Sequence, residues 1–313
     1  MSSHYFRFIH RAVHRQRSAL LERLLARADR SVAVADWRAD AFRAIASPSI
    51  CMPGVAAAAL YAERGPVDAA SVFLATPVHY LAEMSNVRLP ADGILSLHRP
   101  EAEALAVDFN RVWSDSGIRL LSGGRAELFC AFDQPTEAAT ADPEDVLDRH
   151  IANHLPTGAA ATRLRQLMSE IEMWLFEHPV NRARIAQAVP VLSGLWLWGG
   201  GPALASLPAV NGWTAGADPL FKAFAARPEP PRAGAYPGVP PHAAAGVVVT
   251  AAEPGTDEWR GLEARWLVGS LADLRAGRIE RVDLSAGQRC FSVSARWHWR
   301  RWRRRQPWWE WFA

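Results

Sequence analysis

Apolar residues along the chain follow two periods, and the alternation between them sets the expected architecture. Val13, Leu20, Leu21, Leu24 and Leu25 recur at helical spacing among arginines, which predicts a helix over residues 11–29. An alanine-rich run predicts a second helix over 55–62. SVFLATPVH (71–79) is continuously apolar and reads as a buried strand ended by Pro77. In NVRLPADGILSL (86–97), two short apolar runs flank Pro-Ala-Asp-Gly, the pattern of a hairpin. A helix over 100–116 opens with Pro100 and Glu101 and aligns Leu105, Phe109, Val112 and Trp113 on one side. GIRLL (117–121) and AELFCAF (126–132) are strands turning at Gly123-Gly124. The strongest helical pattern is 160–177, with Leu164, Leu167, Met168, Ile171 and Leu175 on one face and Pro179 beyond its end. GLWLW (194–198) and AGVVVTA (245–251) lack alternation and read as buried strands. A helix over 257–276 and a strand pair over 278–295 complete the pattern.

Helices interleaved with buried strands predict an α/β fold, a layered sheet flanked by helices. The expected organisation is one α/β domain over 1–313. Its internal division would be into subregions 1–135 and 160–313, joined by the acidic, irregular stretch 133–159. Residues 227–243 form a Pro/Gly-rich loop, and no internal repeat is present.

Composition narrows this only modestly. With 50% hydrophobic and 21% charged residues, the chain reads as globular. The net charge of +3 excludes a chain-wide basic coat, and Lys222 is the only lysine, a bias that fits a GC-rich bacterial coding sequence. Cys51, Cys130 and Cys290 are widely spaced, which excludes a disulfide framework and a zinc site and points to a reducing cytoplasm. No segment approaches the roughly 18 apolar residues of a membrane span. Arg11, His14, Arg15 and Arg17 interrupt any signal-type apolar run, so the expected location is cytoplasmic.

Chemistry concentrates in residues 178–202, HPVNRARIAQAVPVLSGLWLWGGGP. Gly199, Gly200 and Gly201 follow a buried strand, where backbone without side chains permits positive φ and close approach of a ligand. Ligands of open α/β sheets gather at such strand ends, so an anion or phosphoester cradle is one reading. The other is a tight turn that allows close packing. It is not a P-loop, because Pro202 stands where Lys-Ser/Thr would follow. Asn181 is placed to cap the helix carrying Arg182 and Arg184, and Arg184 has the fork geometry for an oxyanion. The alternative is that His178 and Asn181 satisfy backbone groups and Arg184 is a surface residue.

HPVN (178–181), the arginine three residues after its Asn, and the strand end WLWGGG (196–201) resemble the corresponding stretch of archaeal-type cofactor-independent phosphoglycerate mutases. The likeness to a proteobacterial family of RpfE-type regulatory proteins, often labelled phosphoglycerate mutase, is closer and covers most of the chain. TPVHY (76–80) is similar to its DPVHL segment, LRQLMSEIEMWLFEHPVN (164–181) to its segment ending in HPVN, and LPAVNGWTAGADPLF (207–221) to the part after the glycines. Carried over by position, the resemblance marks His79, Glu170, Glu172, His178, Asn181, Arg184, Trp198, Gly199, Gly200 and Asp218. Thr76 stands where the family often has Asp, and Leu192-Ser193-Gly194 where it often has P-x-N-S. The mutases belong to the alkaline-phosphatase superfamily, whose phosphoryl transfer uses a nucleophilic Ser and two metal ions held by Asp and His clusters. Neither the DG-type start nor the DHG-type end of that ligand set is found in this sequence.

The resemblance implies a central block distantly like alkaline phosphatase and a regulatory-type protein that binds a small anionic or phosphoester ligand. Its expected contacts are His79, His178, Asn181, Arg184, Trp198, Gly199, Gly200, Gly201 and Asp218, with no metal site, no cofactor and no metal-dependent turnover. One alternative is a metal-dependent mutase or phosphatase with rearranged ligands and a divalent metal as cofactor.

Three further features of the sequence bear on function. His150 and His154 have the i, i+4 spacing of metal ligands but lack HExxH and a third ligand, so solvated histidines are the simpler reading. Glu170 and Glu172 are two apart on one helix and face different ways, which excludes an acid/base pair made by them alone. RWHWRRWRRRQPWWEWFA (296–313) interleaves six tryptophans with six arginines. Such a tail either packs back on the domain or docks on an acidic protein, nucleic acid or membrane surface, which is a second alternative for function.

Overall fold

The computed structural model describes residues 3–8, 18–32, 36–84, 86–216, 218–225, 245–249, 267–286, 289–294 and 307. The chain divides into two compact units, one of Met1–Met52 with Pro208–Ala313 and one of Pro53–Leu207. The second is thus inserted in the sequence of the first. The stretch 133–159, expected to join two subregions, lies inside the inserted unit. The tail 296–313 (Pro307 apart) and the loop 227–243 lie outside the described residues, as do 11–17 and 250–266.

In the discontinuous unit, six strands form a mixed sheet in the order β10-β11-β1-β12-β13-β2. These are β1 (Ser3–Phe8), β2 (Asp29–Val32), β10 (Trp213–Gly216), β11 (Gly246–Val249), β12 (Arg281–Ala286) and β13 (Arg289–Ser294). β1 runs parallel to both β11 and β12, and β13 returns antiparallel between β12 and β2. Phe6, Val248, Val282, Leu284, Phe291 and Val293 pack in one core with Leu21, Leu24 and Leu25 of helix α1 (Ala19–Arg27). The expected helix over 11–29 is described from Ala19, where the Ser18 hydroxyl accepts the Leu21 N–H at 3.1 Å as N-cap. α2 (Trp37–Ile45), α8 (Pro219–Ala225) and α9 (Val268–Arg275) are the other helices described in this unit, α9 being the described part of the helix expected over 257–276.

The inserted unit carries an antiparallel sheet in the order β6-β7-β3-β9. Its strands are β3 (Ser71–Val78), β6 (Ile118–Ser122), β7 (Leu128–Phe132) and β9 (Gly194–Pro202). β7 is buried along its whole length, as its unbroken apolar run requires. α3 (Val55–Arg64) and α6 (Ala161–Phe176) pack on β9, and α4 (Arg99–Val112) packs on β6. α6 buries the face named from its period, Leu164, Leu167, Met168, Ile171 and Leu175. The short helix α5 (Pro143–Val146), a 3-10 turn over Ile151–His154 and α7 (Pro179–Ala186) complete the helices described in this unit.

Two sequence expectations change here. Residues 86–97 are not a hairpin. β5 (Val87–Leu89) pairs instead with β4 (Leu81–Ala82) and β8 (Arg149–His150), while Ile94 bridges Val78. The Pro-Ala-Asp-Gly turn is present, but strands from elsewhere outcompete its local partner. Pro77 also does not end β3. It sits opposite Leu195, and its carbonyl accepts the Leu95 N–H at 2.9 Å, so the missing N–H faces away from β9, on the side where pairing with β7 has already ended at Leu74.

Candidate functional site

Three of the residues marked from the sequence, His79, Asn181 and Arg184, converge on one short piece of backbone, residues 190–193, which leads into β9. The first three carbonyls of this piece are each held by a different side chain. Arg184 Nε donates to the Pro190 carbonyl at 2.7 Å. His79 Nδ1 meets the Val191 carbonyl at 2.9 Å, and since a carbonyl only accepts, Nδ1 carries the proton. Asn181 Nδ2 donates to the carbonyls of Leu192 and Leu175, and its Oδ1 accepts the Leu192 N–H, all at 2.8 Å. The Ser193 N–H donates to the Val78 carbonyl at 2.8 Å, and Ser193 Oγ accepts the Tyr80 N–H at 3.0 Å. The HPVN motif and the distant TPVHY segment therefore form one clamp that fixes how β9 meets β3.

Arg184 is buried and already paired. Its Nη1 donates to Glu101 Oε1 at 2.7 Å, and Glu101 Oε2 accepts the His98 N–H at 2.8 Å at the start of α4. The guanidinium expected to meet an oxyanion thus meets a carboxylate of the protein itself. Trp198 is likewise engaged, its Nε1–H donating to Thr76 Oγ1 at 2.7 Å across the two strands.

The three glycines lie inside β9, which runs on to Pro202 instead of stopping at Trp198. Between the pairs Val72↔Gly201 and Leu74↔Trp198, Phe73 stands opposite both Gly199 and Gly200, which is a β-bulge. Gly199 takes φ +63, the left-handed conformation that favours glycine at such a bulge. The space over the glycines is filled by protein. A Cβ on Gly199 would lie 3.0 Å from Val55 Cβ, one on Gly200 would overlap the Phe73 ring, and one on Gly201 would lie 2.9 Å from Gly54 Cα. Of the two sequence readings, this geometry is that of close packing: the start of α3 occupies the place of a ligand.

His178 caps α7. Its Nδ1 accepts the Val180 N–H at 3.1 Å, its ring lies edge-on to Trp174 at 4.8 Å, and Nε2 sits 3.5 Å from Asp108 Oδ2 without hydrogen-bond geometry. Burial pushes its pKa below the ordinary value; Asp108 opposes that shift and Arg182 adds to it. A folded-state histidine with a depressed pKa binds fewer protons than the unfolded chain. Its contribution is present above the unfolded pKa of about 6.5 and lost as pH falls through the folded value. Acidification from pH 7.5 to 5.5 is therefore expected to lower the urea midpoint of the protein more than that of His178→Asn, which keeps a capping oxygen. Equal losses in the two would exclude His178 as a source.

Asp218 belongs to the other compact unit. It is 4% exposed, accepts Arg38 Nε at 2.8 Å, and caps α8 through Leu220 N–H at 3.0 Å. Glu170 is half-buried and accepts the Gln166 side-chain amide at 2.8 Å. His150 Nε2 lies 3.2 Å from Glu83 Oε2 at the surface, and among the described residues no three His, Cys, Asp or Glu side chains group to hold a metal ion.

Sequence reasoning missed Tyr80. Its buried hydroxyl has no hydrogen-bond partner, and burial, with Glu172 second, pushes the phenol pKa up. Glu172 is itself pushed up by burial. Gly194 brings them together, since a Cβ there would lie 3.2 Å from Tyr80 Cε2 and 3.4 Å from Glu172 Cγ. Nothing in the local pattern around Tyr80 or Glu172 signals this, because the two meet only where α6 packs on β9 beside the end of β3.

No family model matches the chain. Three sequence relatives carry one name. The 2,3-bisphosphoglycerate-independent phosphoglycerate mutase of Methanothrix thermoacetophila is 28% identical over 149 residues, 46% of this chain and 38% of the relative. That of Methanosarcina mazei is 25% identical over 152 residues, with the same coverage. A probable enzyme of this name from Geobacter sulfurreducens is 38% identical over 61 residues, 20% of this chain and 15% of that protein. The chain is similar to cofactor-independent phosphoglycerate mutases. The match spans 38% of the length of the two archaeal relatives. Among solved structures, the cofactor-independent phosphoglycerate mutase of Thermoplasma acidophilum aligns over 94% of this chain and 89% of its own with TM-score 0.37 and 13% identity. The PH0037 protein of Pyrococcus horikoshii aligns over 94% and 87% with TM-score 0.41 and 8% identity. Superpositions this loose do not define a shared site.

Proposed function

We propose that this protein is a phosphoglycerate-mutase-like protein of the RpfE regulatory type that binds a small phosphoester anion without metal-dependent turnover, with His79 as the principal contact. Sequence similarity to the mutases supports the ligand class. The observation that carries the residue assignment is the His79 ring. The Nδ1 proton is committed to the Val191 carbonyl, so Nε2 is the ring atom left for a ligand, in a half-buried residue and without a partner among the described residues; the proton between it and a phosphoester oxygen comes with the monoprotonated ester. By contrast Arg184, Asn181 and the glycines are engaged by the protein's own groups. The fold expected with this reading is the alkaline-phosphatase-like one.

Titration with 3-phosphoglycerate and with inorganic phosphate, followed by imidazole nitrogen NMR, tests this. A saturable shift of the His79 ring, absent in His79→Ala, is expected, with the Asn181 side-chain amide unmoved. A silent His79 ring would remove the site. Separately, a coupled mutase assay with manganese or magnesium is expected to give no turnover; turnover would replace the regulatory reading with the enzymatic one.

A further inference from the structure

Among the described residues, the antiparallel sheet of the inserted unit ends on β6. The Asp133 N–H donates to the Gly117 carbonyl at 2.9 Å and the Gly123 N–H to the Glu127 carbonyl at 2.7 Å, which fixes the alternation along the strand. Odd-numbered residues bond β7, so the N–H and C=O groups of Ile118, Leu120 and Ser122 point away from it. A row of such groups is a template for another strand. Here side chains take them instead. The Ser116 hydroxyl oxygen accepts the Ile118 N–H at 3.2 Å. Asn110 of α4 takes both groups of Leu120: its Oδ1 accepts the N–H at 2.8 Å, and its Nδ2 donates to the carbonyl at 2.9 Å. Arg64 Nη1, from the last residue of α3, donates to the Ser122 carbonyl at 3.3 Å. The middle contact matters most, because one side-chain amide offers Leu120 the same donor and acceptor that a residue of an added strand would offer.

We propose that Asn110 guards the β6 edge, and that without it this edge pairs with β6 of a second copy of the chain. The strand is self-complementary. In an antiparallel pairing centred on Leu120, Ile118 of one copy faces Ser122 of the other and Arg119 faces Leu121, so no like charges are opposed. The Leu120 side chain is buried and stays in the core, so the new contact is made by backbone groups. With Asn110 in place, its amide occupies the central pair of those groups on each copy.

The test joins amide hydrogen exchange to sedimentation velocity on the full chain. In the wild type, the Leu120 amide is expected to be protected to within tenfold of the Ala131 amide, which lies in the β6–β7 ladder. In Asn110→Ala at high dilution, Leu120 protection is expected to fall at least tenfold while Ala131 keeps its own. On concentration this variant is expected to associate beyond the wild type, with Leu120 protection returning. Ser122→Pro blocks the edge without removing a ladder bond to β7, because the Ser122 N–H points outward. Added to Asn110→Ala, it is expected to return association to the wild-type level. A wild-type Leu120 amide that exchanges freely overturns the guard, whether or not the variants fold. So does a folded Asn110→Ala protein that associates no more than the wild type. Association that Ser122→Pro leaves unchanged also overturns it, since the contact would then lie on another surface.

Discussion

Asn181→Ala is expected to destabilise the inserted unit by about 4 kcal/mol, read as a drop in urea midpoint at unchanged slope, and to lower its melting temperature by on the order of 10 °C. The size follows from what is left behind. The side chain serves the Leu175 carbonyl, the Leu192 carbonyl and the Leu192 N–H, and both leucines are buried beyond the reach of water, at 0% and 1% exposure. The Leu175 carbonyl keeps the His178 N–H at 3.1 Å, but the Leu192 N–H and carbonyl are left unsatisfied, and two such groups cost more than the bonds were worth net, because each loses its desolvation compensation. Asn181→Asp separates this account from simple loss of volume. It keeps an acceptor for Leu192 N–H but turns an anion on two carbonyls, so it should be at least as damaging as alanine. Near-wild-type stability of either variant would refute the clamp.

The second large effect is expected at Gly200. Gly200→Ala places a methyl group in the Phe73 ring, which is 1% exposed and held edge-on to Phe132 at 5.5 Å. The ring cannot swing aside without unpacking the sheet, and overpacking of this kind costs about 3 kcal/mol. The clash has one partner, so it should be relieved by shrinking that partner. In a double-mutant cycle, Phe73→Leu with Gly200→Ala is expected to lose less than the sum of the single variants by about 1 kcal/mol or more. Strict additivity would mean that Gly200 is required for some other reason, and a ligand approaching its backbone would return as an explanation. Phosphate binding by Gly200→Ala distinguishes the two, since packing alone predicts that the affinity of the folded fraction is retained.

Both effects bear on the resemblance to the mutases. The motif that carries it, HPVN with its following arginine and the glycines, is in this protein a device for setting a strand. Arg184 holds Pro190, His79 holds Val191 and Asn181 holds Leu192, in chain order. The similarity to the archaeal enzymes is thereby compatible with a shared scaffold whether or not the reaction is shared.

How far the sequence reads depends on the distance over which each choice is made. α6 was legible because a single helix fixes its own buried face, and Leu164 to Leu175 recur at its period. β7 was legible because a run such as LFCAF has no polar face to turn to water. The 86–97 hairpin failed because strand pairing is a competition among all edges, and β8, some sixty residues further along the chain, won it. The length of β9 was missed for a related reason. Three glycines look like a stop in one dimension, but Phe73 on the neighbouring strand and Gly54 at the start of α3 make them the only residues that fit.

By itself, then, the sequence determined the local elements, the mixed α/β class and the likeness of residues 178–202 to the mutases, since periodicity and motif spacing are properties of neighbouring residues. Tertiary structure alone decided that Arg184 is spent on Glu101, that α3 fills the glycine bulge, and that His79 and Asn181 grip the same four residues. Such pairings depend on which polar groups folding buries together, and a buried hydrogen bond between residues over a hundred positions apart, as from His79 to Val191, leaves no period in the chain.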